Sequence, residues 1–211
     1  MSASAWPAPD TALPLFPLRT VLFPEAILGL KVFEARYLDL VSDCMRTQQP
    51  FGVICLSQGA EAGPSATTPS FEAVGVLAHI DDVDAEQTGI LRVQCTGGQR
   101  FRLNQPAVQS ANGLWKAQVS LVPQDPVRMP GPAMLPTVTA LAETIKRLQE
   151  RDAEPFAQPY RLDDAGWVAN RWCELLPVPL AAKQKLMELD DPVIRLSLVD
   201  GFLRDKKVLF D

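Results

Sequence analysis

The sequence predicts an α+β protein in which a β-rich N-terminal part is followed by a helical C-terminal part. Apolar residues alternate with a period near two up to residue 122, and recur every three to four positions after residue 136. Five of the nineteen prolines lie between these regions, which is typical of a semi-rigid linker. We therefore predict a β-rich subdomain over 11–122, a linker over 123–136 and a helical subdomain over 137–211.

Seven apolar runs predict the strands of the first part. They cover 13–18, 26–33, 51–57, 73–80, 89–95, 99–103 and 114–122. The first run contains two prolines, which suits an edge strand. Turn signals separate several of the others, and the pair Gly97-Gly98 is expected to form a hairpin turn.

One helix is predicted among these strands, over 34–48, and Pro50 should stop it. Its apolar stripe consists of Tyr37, Leu38, Val41, Cys44 and Met45. Phe33 and Tyr37 lie one helical turn apart, so both are expected in the core.

Four helices are predicted in the second part, over 134–150, 163–176, 179–190 and 190–205. The first two carry clear apolar stripes. These stripes are Val138, Leu141, Ile145 and Leu148, then Val168, Trp172, Leu175 and Leu176. In the last helix, Asp191 is expected to be the N-cap and Pro192 the first helical residue.

The overall composition is that of a globular protein, with 47% hydrophobic and 21% charged residues. A net charge of −5 and a pI near 5.0 argue against binding nucleic acid by phosphate neutralisation. No run approaches the roughly 18 apolar residues of a membrane helix. Residues 1–11 carry neither the positive charge nor the apolar run of a secretory signal, so a cytoplasmic location is expected.

The residues that could support catalysis or metal binding are few. The four cysteines form no CxxC pair, so we expect buried reduced thiols and no metal site. His79 is the single histidine, and no G-x-S-x-G or phosphate-binding loop is present. The acidic run Asp81, Asp82, Asp84 and Glu86 is interpreted as a solvated loop. We therefore predict no enzymatic activity and no cofactor.

Several longer motifs follow one another in a distinctive order. LPLFPL, VLFP, FEARY and FGVICL occur within residues 13–56, VGVLAHI and GGQRF follow, and ELLPVPLAAKQKLMELDDPVIRLSLVDGFL lies near the end. Together they resemble the N-terminal domain of the Lon ATP-dependent proteases, in its stand-alone bacterial form. The resemblance covers roughly residues 11–205.

The resemblance implies a PUA-like β-barrel with one inserted helix, followed by a helical bundle. It also implies a non-catalytic module that recognises protein substrates and lacks the ATPase and protease domains. The implied partners are unfolded or partly folded proteins or peptides, together with components of the proteolysis machinery. No membrane partner is expected.

Aromatic residues near the predicted subdomain junction are the candidate peptide-binding site, namely Trp115, Phe156, Tyr160 and Trp167. Burial of all four rings in a core is the competing interpretation. One alternative function is an RNA-binding PUA-like module that uses a stripe of Arg92, Arg100 and Arg102. A further alternative is an enzyme that uses His79.

Overall fold

A computed structural model describes residues 12–59, 69–151 and 153–206. Residues 1–11, which bear on the expected absence of a signal, lie outside the described residues. The chain divides into two compact units, Met1–Pro123 and Gln124–Asp211. The first contains a mixed sheet and one helix, and the second contains the remaining helices. The predicted α+β class is confirmed.

The described residues of the first unit form nine strands and one helix. The strands are β1 (Leu13–Leu18), β2 (Ile27–Val32), β3 (Phe51–Gln58), β4 (Ser70–Phe71), β5 (Val74–Gln87), β6 (Ile90–Leu103), β7 (Val108–Gln109), β8 (Trp115–Ala117) and β9 (Val119–Leu121). The helix is α1 (Ala35–Thr47). The sheet order is β2-β6-β5-β3-β1-β8-β7, and β9 pairs with β6.

The sheet closes on itself because one run of chain pairs with both sides of the barrel. The run 114–122, predicted as one strand, divides at Gln118 into β8 and β9. Strand β8 pairs with β1, whereas β9 pairs with β6. The path β6-β5-β3-β1-β8 therefore returns to β6 through β9, which is the barrel-like closure that the resemblance implies.

The interior of this barrel receives apolar side chains from every strand of the closed path. They are Leu13, Leu15, Ile54, Leu77, Phe101, Ala117 and Val119. Phe101 is fully buried, and its ring lies against two glycines. A Cβ added at Gly52 would lie 2.8 Å from the Phe101 ring, and one added at Gly75 would lie 2.5 Å from it. The missing side chains make room for the ring.

Strand β1 is not the predicted edge strand. It lies between β3 and β8. Its two prolines are tolerated there because each is aligned with a residue of one neighbouring strand and not of the other. Pro14 is aligned with Lys116 of β8, whereas Pro17 is aligned with Ile54 of β3. A proline removes a backbone donor, so it is tolerated where only one neighbouring strand needs hydrogen bonds.

The pair Gly97-Gly98 does not form the predicted hairpin turn. Strand β6 runs through both residues without a break. A Cβ at Gly97 would collide with the carbonyl oxygen of Phe23, and one at Gly98 would lie 2.7 Å from the His79 imidazole. The glycines therefore permit close packing within the sheet, and the actual turn of the β5–β6 hairpin is at Thr88-Gly89.

The start of α1 places Phe33 outside the core, contrary to the prediction. The helix begins at Ala35, so Phe33 follows the alternation of β2, in which Val32 points inward. Phe33 is 56% exposed and Met45 is 53% exposed. The buried face of α1 instead consists of Tyr37, Leu40, Val41 and Cys44.

Where the structure describes the second unit, it contains a short 3-10 turn and four helices. They are α2 (Leu135–Gln149), α3 (Ala165–Leu175), α4 (Leu180–Glu188) and α5 (Pro192–Asp205), preceded by the turn Pro132–Met134. The Asp191 carboxylate accepts hydrogen bonds from the amides of Val193 and Ile194, at 2.8 and 3.1 Å. This confirms the predicted N-cap.

Arg195 holds the second unit together from its centre. Its side chain is 1% exposed, and its guanidinium pairs with the Asp125 carboxylate at 2.6 Å. It also donates to the Asn170 side chain and to the carbonyl oxygens of Leu186 and Leu189. The Arg195 side chain on α5 thus connects the proline-rich segment, α3 and the end of α4. Asp125, in the proline-rich segment, is therefore part of the packed unit.

The close approach at Gly75 predicts a sharp cost for a single methyl group. Gly75→Ala should destabilise the barrel unit by about 1–3 kcal/mol, because neither the Val53 carbonyl nor the buried Phe101 ring can move aside freely. Gly29→Ala is the control, since a Cβ there meets nothing within 4 Å and should change stability by less than about 0.5 kcal/mol. Urea unfolding measures both, and equal stabilities would contradict the packing argument.

The buried ion pair gives a second stability prediction. Asp125→Ala removes the carboxylate that pairs with the Arg195 guanidinium, and should cost about 3 kcal/mol because the guanidinium stays buried. Asp163→Ala, at an exposed position, is the matched control. Tryptophan fluorescence during urea unfolding follows the helical unit through Trp167 and Trp172. Similar midpoints for the two variants would show that the pair contributes little.

Candidate functional site

The four cysteines are free and buried, as predicted. Burial raises the pKa of Cys44 to about 11, and that of Cys95 and Cys173 to about 12. A thiol must lose its proton to act as a nucleophile or metal ligand. These residues therefore contribute to packing. Within the described parts of the chain, no three His, Cys, Asp or Glu side chains come together in a way that could hold a metal ion.

The acidic run near His79 lies on a strand and not in the predicted loop, although its side chains are solvent-exposed as predicted. Strand β5 continues to Gln87 and pairs with β6 as far as Ile90. Asp81 accepts a hydrogen bond from the Thr96 hydroxyl at 2.7 Å, and Glu86 binds Lys31 and Arg92 at 3.2 and 3.1 Å. Hydrogen bonds from Arg92 and then Lys31 lower the pKa of Glu86. The carboxylates thus act in surface pairs along an exposed hairpin.

The arginine stripe considered for RNA binding does not form. Arg92 is exposed and paired with Glu86, but Arg100 is 4% exposed. Arg102 is exposed on the same strand. Only two of the three guanidinium groups therefore reach solvent, and one of those is neutralised.

Two of the four candidate aromatic residues form the interior of the helical unit. Phe156 and Trp167 are 3% and 2% exposed, and their rings meet edge to face with centroids 6.0 Å apart. The guanidinium carbon of Arg171 lies 5.4 Å from the Phe156 centroid and 5.6 Å from that of Trp167. This cation–π contact fixes the loop that carries Phe156 against α3.

Tyr160 is the member of the same aromatic cluster whose ring is partly exposed to solvent. Its ring lies 5.9 Å from Trp167, and it is half-buried. Its hydroxyl donates to Glu154 at 3.0 Å and accepts from Gln149 at 3.2 Å. Partial burial, followed by the bond to Glu154, raises its pKa. An aromatic ring with a polar tip at the surface is typical of a binding anchor.

Trp115, in the barrel unit, is also half-buried. Its ring lies 5.1 Å from Phe71 at an interplanar angle of 73°, and it packs on the barrel core. Strand β8 follows a turn that Arg36 reaches from α1, with its Nη1 3.3 Å from the Gly113 carbonyl oxygen. Arg36 pairs with Glu34 at 2.7 Å. The FEARY motif thus positions the strand that carries Trp115.

Exposed apolar side chains are the surface feature that the sequence patterns missed. In the barrel unit they are Ile27, Phe33, Met45 and Val108. In the helical unit they are Val127, Met129, Leu135, Val193, Ile194 and Leu198. Leucines and isoleucines at helical spacing resemble core residues, so the sequence alone could not distinguish them. No helix in the described part of the chain is long and apolar enough to cross a membrane.

A closed mixed sheet, followed in the chain by a helical unit, defines an α+β domain in class. The family comparison agrees with this class. Residues 12–205 match the family described as the ATP-dependent protease La (LON) substrate-binding domain. The chain belongs to this family.

Two proteins named Lon protease 2 are similar in sequence to this chain over most of its length. The chain is 27% identical over 198 residues to Lon protease 2 of Herpetosiphon aurantiacus, and 29% identical over 201 residues to Lon protease 2 of Myxococcus xanthus. These matches cover 89% and 92% of this chain, but 23% and 24% of the relatives. The chain therefore spans about a quarter of the length of these proteases.

Two solved structures share the fold. A Lon N-terminal domain protein from Xanthomonas campestris matches with a TM-score of 0.72 and 34% identity, covering 90% of this chain and 98% of that one. The N-terminal domain of a Mycobacterium avium complex Lon protease matches with a TM-score of 0.61 and 17% identity, covering 92% and 99%. The second similarity shows the fold alone.

The Arg171–Glu174 pair beside the aromatic cluster predicts a pH-dependent stability. Arg171 lies 2.6 Å from Glu174, yet burial outweighs the pairing and raises the pKa of Glu174 from 4.5 to about 7. A folded-state pKa above the unfolded value means that the folded state holds the proton more tightly. Stability should therefore fall as pH rises from about 4.5 to about 7, by at most about 3 kcal/mol.

Glu174→Gln tests this because the amide does not titrate. The unfolding free energy of the wild type minus that of the variant should decrease between pH 4.5 and pH 7. A difference that grows with pH would show that the ion pair with Arg171 dominates over burial.

Proposed function

We propose that the chain binds unfolded or partly folded segments of other proteins, and that it hydrolyses neither ATP nor peptide bonds. The observation that supports this most strongly is the match of nearly the whole chain to a substrate-binding domain family. The absence of a phosphate-binding loop from the sequence supports the non-catalytic part.

The surface of each unit supports the same proposal. Ten large apolar side chains are exposed among the described residues. Single exposed apolar residues are common on any protein. Here, however, Ile194 and Leu198 lie one turn apart on the outer face of α5, and Val193 adjoins Ile194. Contiguous apolar surface on a folded domain is typical of a binding surface.

The four aromatic residues remain candidate peptide-binding residues, with two different roles in the proposal. Tyr160 and Trp115 have accessible ring surface and are proposed to contact the bound segment. Phe156 and Trp167 are buried and are proposed to hold the loop of Tyr160 in place. Components of the proteolysis machinery are proposed as further partners, in the cytoplasm.

The proposal is tested with one protein in two states. Reduced, carboxymethylated α-lactalbumin, which is unfolded, should bind the full chain, and native α-lactalbumin should not. Fluorescence anisotropy measures both. Equal binding of the two forms, or none, would contradict the proposal. Tighter binding of single-stranded RNA than of the unfolded protein would instead favour the RNA-binding alternative.

Variants of the aromatic cluster distinguish a residue that contacts the bound segment from a residue that stabilises the fold. Tyr160→Ala should weaken binding of the unfolded probe about tenfold with little change in stability, because an aromatic anchor contributes at least about 1.4 kcal/mol. Trp167→Ala should instead cost about 3–5 kcal/mol of stability, as for any buried aromatic. Unchanged affinity in a folded Tyr160→Ala variant would remove Tyr160 from the site.

A further inference from the structure

Strand β2 ends the sheet on one side of the barrel unit. Strand β6 pairs with it along its whole length, from Ile27 to Val32. No strand in the described part of the chain pairs with its other edge. In an antiparallel ladder only alternate residues bond to the partner strand. About three of the six residues therefore direct their N–H and C=O groups towards the open edge.

The outer face of β2, beside this edge, is accessible. Leu28, Leu30 and Val32 alternate towards the inner face, so Ile27, Gly29 and Lys31 lie on the outer face. Ile27 is 38% exposed, and a Cβ at Gly29 would meet nothing within 4 Å. In the part of the chain that the structure describes, no atom thus lies close to the outer face of the strand at Gly29.

We propose that β2 is the docking strand for an extended polypeptide segment, which adds to the sheet beside it. This inference rests on the proposed function and adds a backbone contact with the segment to the side-chain contacts proposed for Tyr160 and Trp115. Backbone hydrogen bonds supply affinity that does not depend on sequence, which suits a protein that binds many unfolded chains.

The outer face also predicts a sequence preference for the segment. The charges of Asp84, Arg92 and Lys31 lie in one row across β5, β6 and β2, and Lys31 lies beside the open edge. Lys31 pairs with Glu86 at 3.2 Å, but its side chain is 56% exposed, so an acidic residue of an added strand can reach its ammonium group as well. An added strand would place one residue beside Lys31, one beside Gly29 and one beside Ile27. Cross-strand pairing favours an acidic residue, a large aromatic residue and an apolar residue at these three alternate positions.

Hydrogen–deuterium exchange tests the location with reduced, carboxymethylated α-lactalbumin as the probe. Saturating probe should remove the early deuterium uptake of about three amides in residues 27–32, as the alternation of an antiparallel ladder requires. Strand β3, which is paired on both sides by β1 and β5, should not change. Binding without protection of β2 would overturn this inference and leave the proposed function intact. Absence of any binding would overturn both.

A charge exchange tests the sequence preference. The probes are peptides with Ile, Trp and Glu at alternate positions of a threonine host, in both sequence orders, and their Glu-to-Lys counterparts. The wild type should bind the Glu peptide about two- to five-fold more tightly than the Lys peptide, as for one cross-strand pair. Lys31→Glu should reverse this preference.

Lys185→Glu is the matched control, because Lys185 is an exposed lysine that pairs with a glutamate, Glu188, as Lys31 does with Glu86, but lies on a helix, α4. It should keep the wild-type preference. If it reverses the preference as Lys31→Glu does, the peptides respond to net charge and the proposed register on β2 is wrong.

Discussion

The barrel depends on the ring of Phe101 and on the two glycines that make room for it. Gly52 and Gly75 come from β3 and β5, and both approach the ring so closely that a methyl group would overlap it. With the centre filled in this way, β8 and β9 complete the path from β1 back to β6. Strand β6 is 14 residues long. It therefore extends beyond the closed path, and β2 pairs with the extension. The open edge of β2 is a consequence of how the barrel closes.

In the helical unit, the buried guanidinium group of Arg195 connects the elements. Buried arginines are costly unless every donor finds an acceptor. Arg195 meets this requirement with a carboxylate, an amide oxygen and two carbonyl oxygens at the end of α4. Since one acceptor belongs to Asp125, the proline-rich segment is held against the helices at that point. Prolines lower the conformational entropy that such a segment loses on folding. A proline-rich composition therefore occurs both in linkers and in segments that pack against a domain.

Local patterns predicted the elements that depend on local chemistry. The period change, the helix at 35–47 and the Asp191 cap were all readable, because spacing and capping are properties of adjacent residues. The continuation of β6 through Gly97 could not be predicted from local patterns. Glycine is needed there because of the carbonyl group of Phe23, which is over seventy positions away in the sequence. The exposure of Phe33 likewise depends on where the helix starts. Among the aromatic residues, type and position suggested candidates, but only tertiary packing separates the accessible Tyr160 from the buried Trp167.

An open edge on a stable sheet is also a risk, because a second copy can pair with it. Symmetric antiparallel pairing of two β2 strands about Gly29 would place Lys31 of one copy opposite Ile27 of the other. A charged side chain beside an apolar one gains nothing from the pairing and leaves the ammonium poorly solvated. A segment with an acidic residue at that position meets no such mismatch. In this register, the residues on either side of Gly29 therefore give self-pairing no cross-strand stabilisation, whereas the segment proposed above would gain it, and this difference is what a selective binding edge requires.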